Sequence, residues 1–254
     1  MGQYYVIATR EPKSKTIQCI APNGIKMMEH AWLDYSTTRD VFTQLLGRPM
    51  QVAWVGDYAC RAGEYNDVTH EWEAYPQPVL APNRPALYAG REGKARAKFV
   101  LAAYKAWWGA SETVQARHQI KFEYEDDEFN PADFVIVNDS KKLYIDCKHQ
   151  IALYTQTEKY GNTEYKSCVN PLAILCDASQ EDAGGDYHGV NMWASGIWCG
   201  DIIRVEKRED FLAINNGLAD DYRTREQGYE EFSVPFTDTM RVMTDTCLDN
   251  LMEK

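Results

Sequence analysis

No stretch of this 254-residue chain approaches the roughly 20 apolar residues that a bilayer-crossing helix needs. A signal-peptide core is also missing, because Arg10, Glu11, Lys13 and Lys15 interrupt the first residues. The expectation is therefore a soluble, cytoplasmic protein without membrane attachment. Positive charge is scarce: 27 Lys and Arg stand against 38 Asp and Glu, a net charge of −11. Such a surface repels phosphate backbones, which argues against nonspecific nucleic-acid binding and against docking to lipid through a basic face. Seven cysteines (Cys19, Cys60, Cys147, Cys168, Cys176, Cys199, Cys247) are widely spaced. None forms a Cys-x-x-Cys pair, so neither a zinc knuckle nor a redox dithiol is indicated and reduced thiols are expected. The five histidines never stand three to five residues apart, so no metal site is expected. P-loop, Gly-x-Gly-x-x-Gly and nucleophile-elbow sequences are all lacking, as are repeats and low-complexity tracts. No cofactor is expected.

What is present describes a folded protein. A hydrophobic content of 44% with 12% aromatics, over this length, can bury a sizeable core. Residues 3–9 and 16–20 read as a hairpin around the turn Glu11-Pro12-Lys13-Ser14, and residues 51–55 as a buried strand entering the turn Gly56-Asp57. Residues 40–46 form a short helix ended by Gly47 and Pro49. Pro76, Pro78, Pro82 and Pro85 argue against a regular element over residues 76–90. Ala95, Phe99, Ala102, Ala103, Ala106 and Trp107 recur at helical spacing over residues 92–108. Residues 134–137 and 143–145 flank the polar turn Asn138-Asp139-Ser140-Lys141, a second hairpin. Residues 173–175 and 202–205 read as further strands. Met240, Met243, Cys247, Leu248 and Leu251 form an apolar stripe with Thr237 or Asp238 as its N-cap. The reading is a single α+β domain over residues 1–254, strand-rich, with a mixed or antiparallel sheet and a few packed helices. Residues 206–254 belong to that domain or form an appended helical element.

Chemistry concentrates in short aromatic and acidic clusters. They are Met1-Gly2-Gln3-Tyr4-Tyr5, residues 28–32 ending in His30-Ala31-Trp32, Trp54-Val55-Gly56-Asp57-Tyr58, Gly184-Gly185-Asp186-Tyr187 and Trp198-Cys199-Gly200-Asp201. Each places a Trp or Tyr near a hydrogen-bonding side chain, which suits either a pocket for a flat polar ligand or ordinary sheet packing. If they converge, Gln3, Tyr4, His30, Trp32, Asp57, Tyr58, Asp186 and Asp201 line a small-ligand pocket, with Lys141 and Lys142 facing any phosphate. A nucleotide-derived ligand fits that set. His30 and His188 are candidates for acid–base work, while Cys147 and Cys199 read as buried small hydrophobes.

The order of these clusters resembles a family of uncharacterised proteins from gut bacteria and their phages. The resemblance rests on Met1 to Tyr5, Lys26 to Trp32, Trp54 to Ala59, Asn138 to Asp146, Pro171-Leu172, Gly184 to Tyr187 and Trp198 to Ile202. It implies a setting of phage–bacterium conflict and a small anti-defence binder, inhibitor or signal-processing protein.

Two other readings stand beside this one. Asp133 before one strand, with Asp146-Cys147-Lys148 ending its hairpin partner, looks like the PD-(D/E)xK nuclease core. In that core two carboxylates converge on a divalent metal and the lysine orients water. Alternation would place Asp146 and Lys148 on one face of the strand. Against this, residues 149–154 lack the pattern of the helix that usually follows, and the chain is acidic. The second reading is an acidic protein-binding inhibitor of a host component. It rests on residues 123–128, where five of six positions are acids.

Overall fold

The computed structural model describes residues 4–26, 33, 36–66, 71–80, 90–107, 129–160, 163–168, 170–178, 195–215 and 229–232. Two turn-linked strands open it, β1 (Tyr4–Arg10) and β2 (Gln18–Lys26), paired antiparallel as the sequence predicts. Helix α1 (Ser36–Leu45) follows, four residues earlier in onset than the apolar pattern indicates. Next come β3 (Met50–Gly56), and then β4 (Cys60–Asn66) with β5 (Glu71–Leu80), a separate two-stranded ribbon. Strand β5 corrects the expectation that prolines forbid a regular element here. Pro76 and Pro78 fall within a register shift, where Gly63 faces Ala74 but Arg61 faces Val79. Residues in such a bulge owe the ladder no N–H, so proline is tolerated.

Helix α2 (Gly90–Trp107) matches its periodicity. A 3-10 turn (Pro131–Asp133) then leads into β6 (Phe134–Asn138) and β7 (Leu143–Asp146). Helix α3 (Cys147–Tyr154) begins directly at the end of β7. The hairpin β8 (Gln156–Tyr160) and β9 (Thr163–Ser167) follows, then α4 (Pro171–Leu175) and β10 (Asp177–Ala178). The last elements are β11 (Ile202–Lys207), α5 (Arg208–Asn215) and β12 (Glu230–Glu231). The expected strand at residues 173–175 is a helix. Pro171 occupies its first turn, and the Asn170 side chain caps it by accepting the Leu172 N–H at 3.1 Å. Its five residues are all buried, and a short apolar run of that kind carries no period that separates helix from strand.

The main sheet runs β12-β7-β6-β11-β3-β1-β2, with β10 also against β3. Its pairs are antiparallel except β12 with β7 and β10 with β3, so the sheet is mixed and the fold α+β. Both faces are buried. Tyr5, Ile7, Val52, Trp54, Ile136, Ile145 and Ile203 point to one face, beneath α1, α4 and Trp198. The alternate residues Val6, Ala8, Ala53 and Val55 meet Phe99, Val100 and Ala103 of α2, while Val135, Val137 and Tyr144 meet Phe211 of α5. The C-terminal apolar stripe at residues 240–251 lies outside the described residues. Among the described residues no helix is long and apolar enough to cross a membrane.

Asp201, 3% exposed, joins the α2 side of the sheet to β6. Its carboxylate accepts from Arg96 Nη2 at 2.7 Å and from Asn138 Nδ2 at 2.9 Å, with Lys141 Nζ 4.0 Å away. Burial raises its pKa, and Arg96 and then Lys141 oppose that rise. Gly200 allows the approach: its φ is +76°, and a Cβ there would lie 3.3 Å from the Arg96 backbone and side chain. Gly47, at φ +63°, has open space instead. Gly47→Ala should therefore cost only the left-handed strain, about 1 kcal/mol, and Gly200→Ala clearly more. Urea unfolding of both variants checks this; equal losses would show that Arg96 does not depend on the close approach.

Candidate functional site

The residues chosen from the sequence fall into separate places. Gln3, His30, Trp32 and Asp186 lie outside the described residues, as do His188 and the acidic run 123–128. Tyr4 and Asp57 meet at the end of β3: the Tyr4 N–H donates to Asp57 Oδ1 at 3.2 Å, and the Asp57 N–H to the Tyr4 carbonyl at 2.9 Å. Burial raises the Asp57 pKa, and the amide of Tyr4 opposes it. Tyr58 beside them is exposed. Asp201 accompanies Val52, whose N–H donates to its carbonyl. Five residue steps along β3, roughly 17 Å, take the chain from Val52 to Asp57. Lys141 reaches the buried Asp201, and the Lys142 ammonium lies 5.2 Å from the Tyr229 ring. The structure thus joins Tyr4, Asp57 and Tyr58 at one end of β3, and Lys141 with Asp201 nearer the other. Tyr5, Trp54 and Trp198 are fully buried in the core.

A different set forms a cleft of about 440 Å³. Its walls are the 3-10 turn (Ala132, Asp133), the first turn of α3 (Lys148) and the junction of β11 with α5 (Lys207, Arg208, Glu209, Asp210). Register explains the first pair. Val135 faces Asp146, so Asp133 and Lys148 each lie two residues beyond the same rung and end on the same cleft. The Asn130 side chain sets the turn by accepting the Ala132 N–H at 3.1 Å. Lys207 Nζ lies 4.3 Å from the centre of the Phe134 ring, an arrangement that keeps the ammonium at the cleft wall.

Asp146 holds this region together. Its side chain is fully buried. Oδ1 accepts the backbone N–H groups of Lys148 (3.0 Å) and His149 (3.4 Å), which makes Asp146 the N-cap of α3. Arg208 Nε lies 2.9 Å from both carboxylate oxygens, and Nη2 lies 2.8 Å from Oδ2. That bond, more than any other cause, raises the Arg208 pKa. Two expectations are corrected here. Residues 147–154 are helical because of this cap, and Lys148 belongs to the helix, not to a strand face shared with Asp146.

The described cysteines offer no nucleophile. All six described are free and buried; burial pushes the Cys60 thiol up to about 12 and raises Cys147, Cys176 and Cys199 as well. Cys147 and Cys199 are the small buried hydrophobes that the sequence indicates.

Sequence reasoning missed Lys207, Arg208, His149 and Glu231. The adjacent basic pair after a strand was a visible signal for the first two. His149 and Glu231 are 82 residues apart, and only the parallel pairing of β12 with β7 brings them together. Asp146→Ala should lower the unfolding free energy by about 2 kcal/mol, through loss of a cap and of the Arg208 partner. Asp146→Asn, still able to cap, should lose less; chemical denaturation of both variants measures it. Compared with protein-family models, with curated proteins and with solved structures, the chain matches none.

Proposed function

We propose that this protein binds a small phosphate-bearing ligand, of the nucleotide or nucleotide-derived class, in the cleft between α3 and α5. The observation that carries this reading is the meeting of Lys148 of α3 with the adjacent Lys207 and Arg208 of the β11–α5 junction in a chain of net charge −11. Arg208 is the best placed of the three. Asp146 engages its Nε and Nη2, which fixes the guanidinium plane and leaves Nη1 for an anion. Asp133, Glu209 and Asp210 balance the three cations on the same walls. A long polyanion would meet those acids unfavourably, whereas a ligand with one phosphate and several hydroxyls can use both signs. The volume suits a ligand of that size.

Phosphodiester cleavage is the second reading, favoured by the shared register of Asp133 and Lys148 and by the helix that follows β7. Among the described residues the metal-ligating atoms gathered within 4.8 Å of one another belong to Asp146, His149 and Glu231, and Asp133 stands outside that group. No hydrolytic step through a metal at Asp133 is assigned.

Calorimetric titration with nucleoside mono- and diphosphates, cyclic nucleotides and ribose 5-phosphate tests the proposal. One class should bind, more weakly as salt rises, and should stabilise the fold by about 2.7 kcal/mol at 100 times its Kd. The Lys148→Ala, Lys207→Ala double variant should bind at least about tenfold more weakly. Silence from every phosphate ligand would sink the proposal, as would unchanged affinity in a folded double variant. Chromatography of the recovered ligand separates binding from cleavage.

A further inference from the structure

We propose that Asp146, His149 and Glu231 form a binding site for a divalent transition-metal ion of the zinc type. The three come from the end of β7, the start of α3 and β12. Asp146 caps α3, His149 lies one turn along it, and Glu231 is in β12, the strand that runs parallel to β7. His149 Nδ1 lies 2.8 Å from Glu231 Oε1 and 3.7 Å from Asp146 Oδ2. One ligand atom from each residue lies within 4.8 Å of the other two. Ligands about 2.0–2.2 Å from a tetrahedral ion stand some 3.3–3.6 Å apart, so small side-chain rotations bring these donors onto one ion.

The ligands are oriented before any ion arrives. Asp146 is held by two amide N–H groups and by Arg208. Glu231 Oε2 accepts from the Tyr144 hydroxyl at 3.3 Å, which leaves Oε1 facing the imidazole. The backbone of β12 is pinned on both sides: the Glu230 N–H donates to the Lys142 carbonyl at 3.0 Å, and the Phe232 N–H to the Tyr144 carbonyl at 2.7 Å. Such outer hydrogen bonds set the direction and basicity of metal ligands. Two carboxylates converge on one ring nitrogen, and a neutral imidazole has a single N–H to share between them. An ion satisfies both acids at once, with Arg208 as an outer partner of Asp146. One nitrogen and two oxygens suit zinc-like ions better than magnesium, which prefers oxygen alone. His149 is 53% and Glu231 39% exposed, so the ion has a path in and an open position for water.

The binding would clamp β12 to the start of α3 and make attachment of residues 229–232 metal-dependent. The test is titration of the full chain with Zn²⁺ and Co²⁺ by calorimetry and by the visible absorption of Co²⁺, with Mg²⁺ as the comparison ion. One equivalent should bind, and Mg²⁺ should bind far more weakly. His149→Ala and Glu231→Gln should each weaken Zn²⁺ at least about tenfold and abolish the Zn²⁺-induced rise in Tm. Glu231→Gln keeps the side-chain shape, so it reads out even if the histidine variant folds poorly. Equal Zn²⁺ affinity in wild type and Glu231→Gln would place the ion elsewhere, for instance on a thiol, and would overturn the proposal. Failure of Zn²⁺ and Co²⁺ to bind below millimolar concentration would reduce the trio to a hydrogen-bonded cluster and overturn it equally.

Discussion

A carboxylate with no solvent exposure organises one whole edge of this molecule. Burying Asp146 costs several kcal/mol unless every lone pair finds a donor. Two helical amides and a bidentate arginine supply most of those donors, and His149 Nδ1 stands 3.7 Å from Oδ2. Meeting the demand starts α3 at the last residue of β7 and draws the first residue of α5 towards it. Strand end, helix start and the β11–α5 junction are therefore fixed relative to one another by one side chain. The cleft between them follows from that convergence, as does the orientation of its arginine. Electrostatic need and site geometry are here the same set of bonds.

A second buried acid, Asp201, plays a matching part across the sheet. The face beneath α2 and α5 is divided into two apolar clusters, one built on β1 and β3 and the other on β6 and β7. The carboxylate accepts from Arg96 of α2 and from Asn138 at the end of β6, so a polar link spans the two. Burial and Arg96 pull its titration in opposite directions, with burial the larger. Asp201 thus serves as a tie point of the interior from the short segment between the turn of residues 195–200 and β11.

Much of the scaffold was legible because it rests on local pattern. Short apolar runs bounded by turn residues marked β1, β3, β6 and β7; the 3.6-residue period of Phe99, Ala102, Ala103 and Ala106 marked α2; and Asn138 to Lys141 marked a turn. The failures have equally local causes. Residues 171–175 form one fully buried run without a period, and their helix depends on Asn170, a cap easily mistaken for a turn residue. Residues 147–154 have too little amphipathic pattern to announce a helix, which owes its start to the residue before it. Prolines in β5 sit where the ladder slips. The site was the least legible part. Gly-Asp sequences read alike whether the acid meets solvent or a buried arginine, and only the tertiary fold decides. Asp133 and Lys148 line one cleft, Lys148 from α3 and not from the strand face expected of it, whereas Lys207, Arg208 and Glu231 reach the same corner through long-range topology.

The two-residue strand β12 has a consequence beyond any ligand. It is all that covers the outer edge of β7 among the described residues, through two backbone bonds at 3.0 and 2.7 Å. Beneath it, Leu143 and Ile145 belong to the main core. An uncovered strand of this kind is a template for another chain's backbone. Detaching residues 229–232 would open the backbone groups of Leu143 to Tyr144 in β7 to pairing with another chain, so a two-residue strand decides what that edge presents.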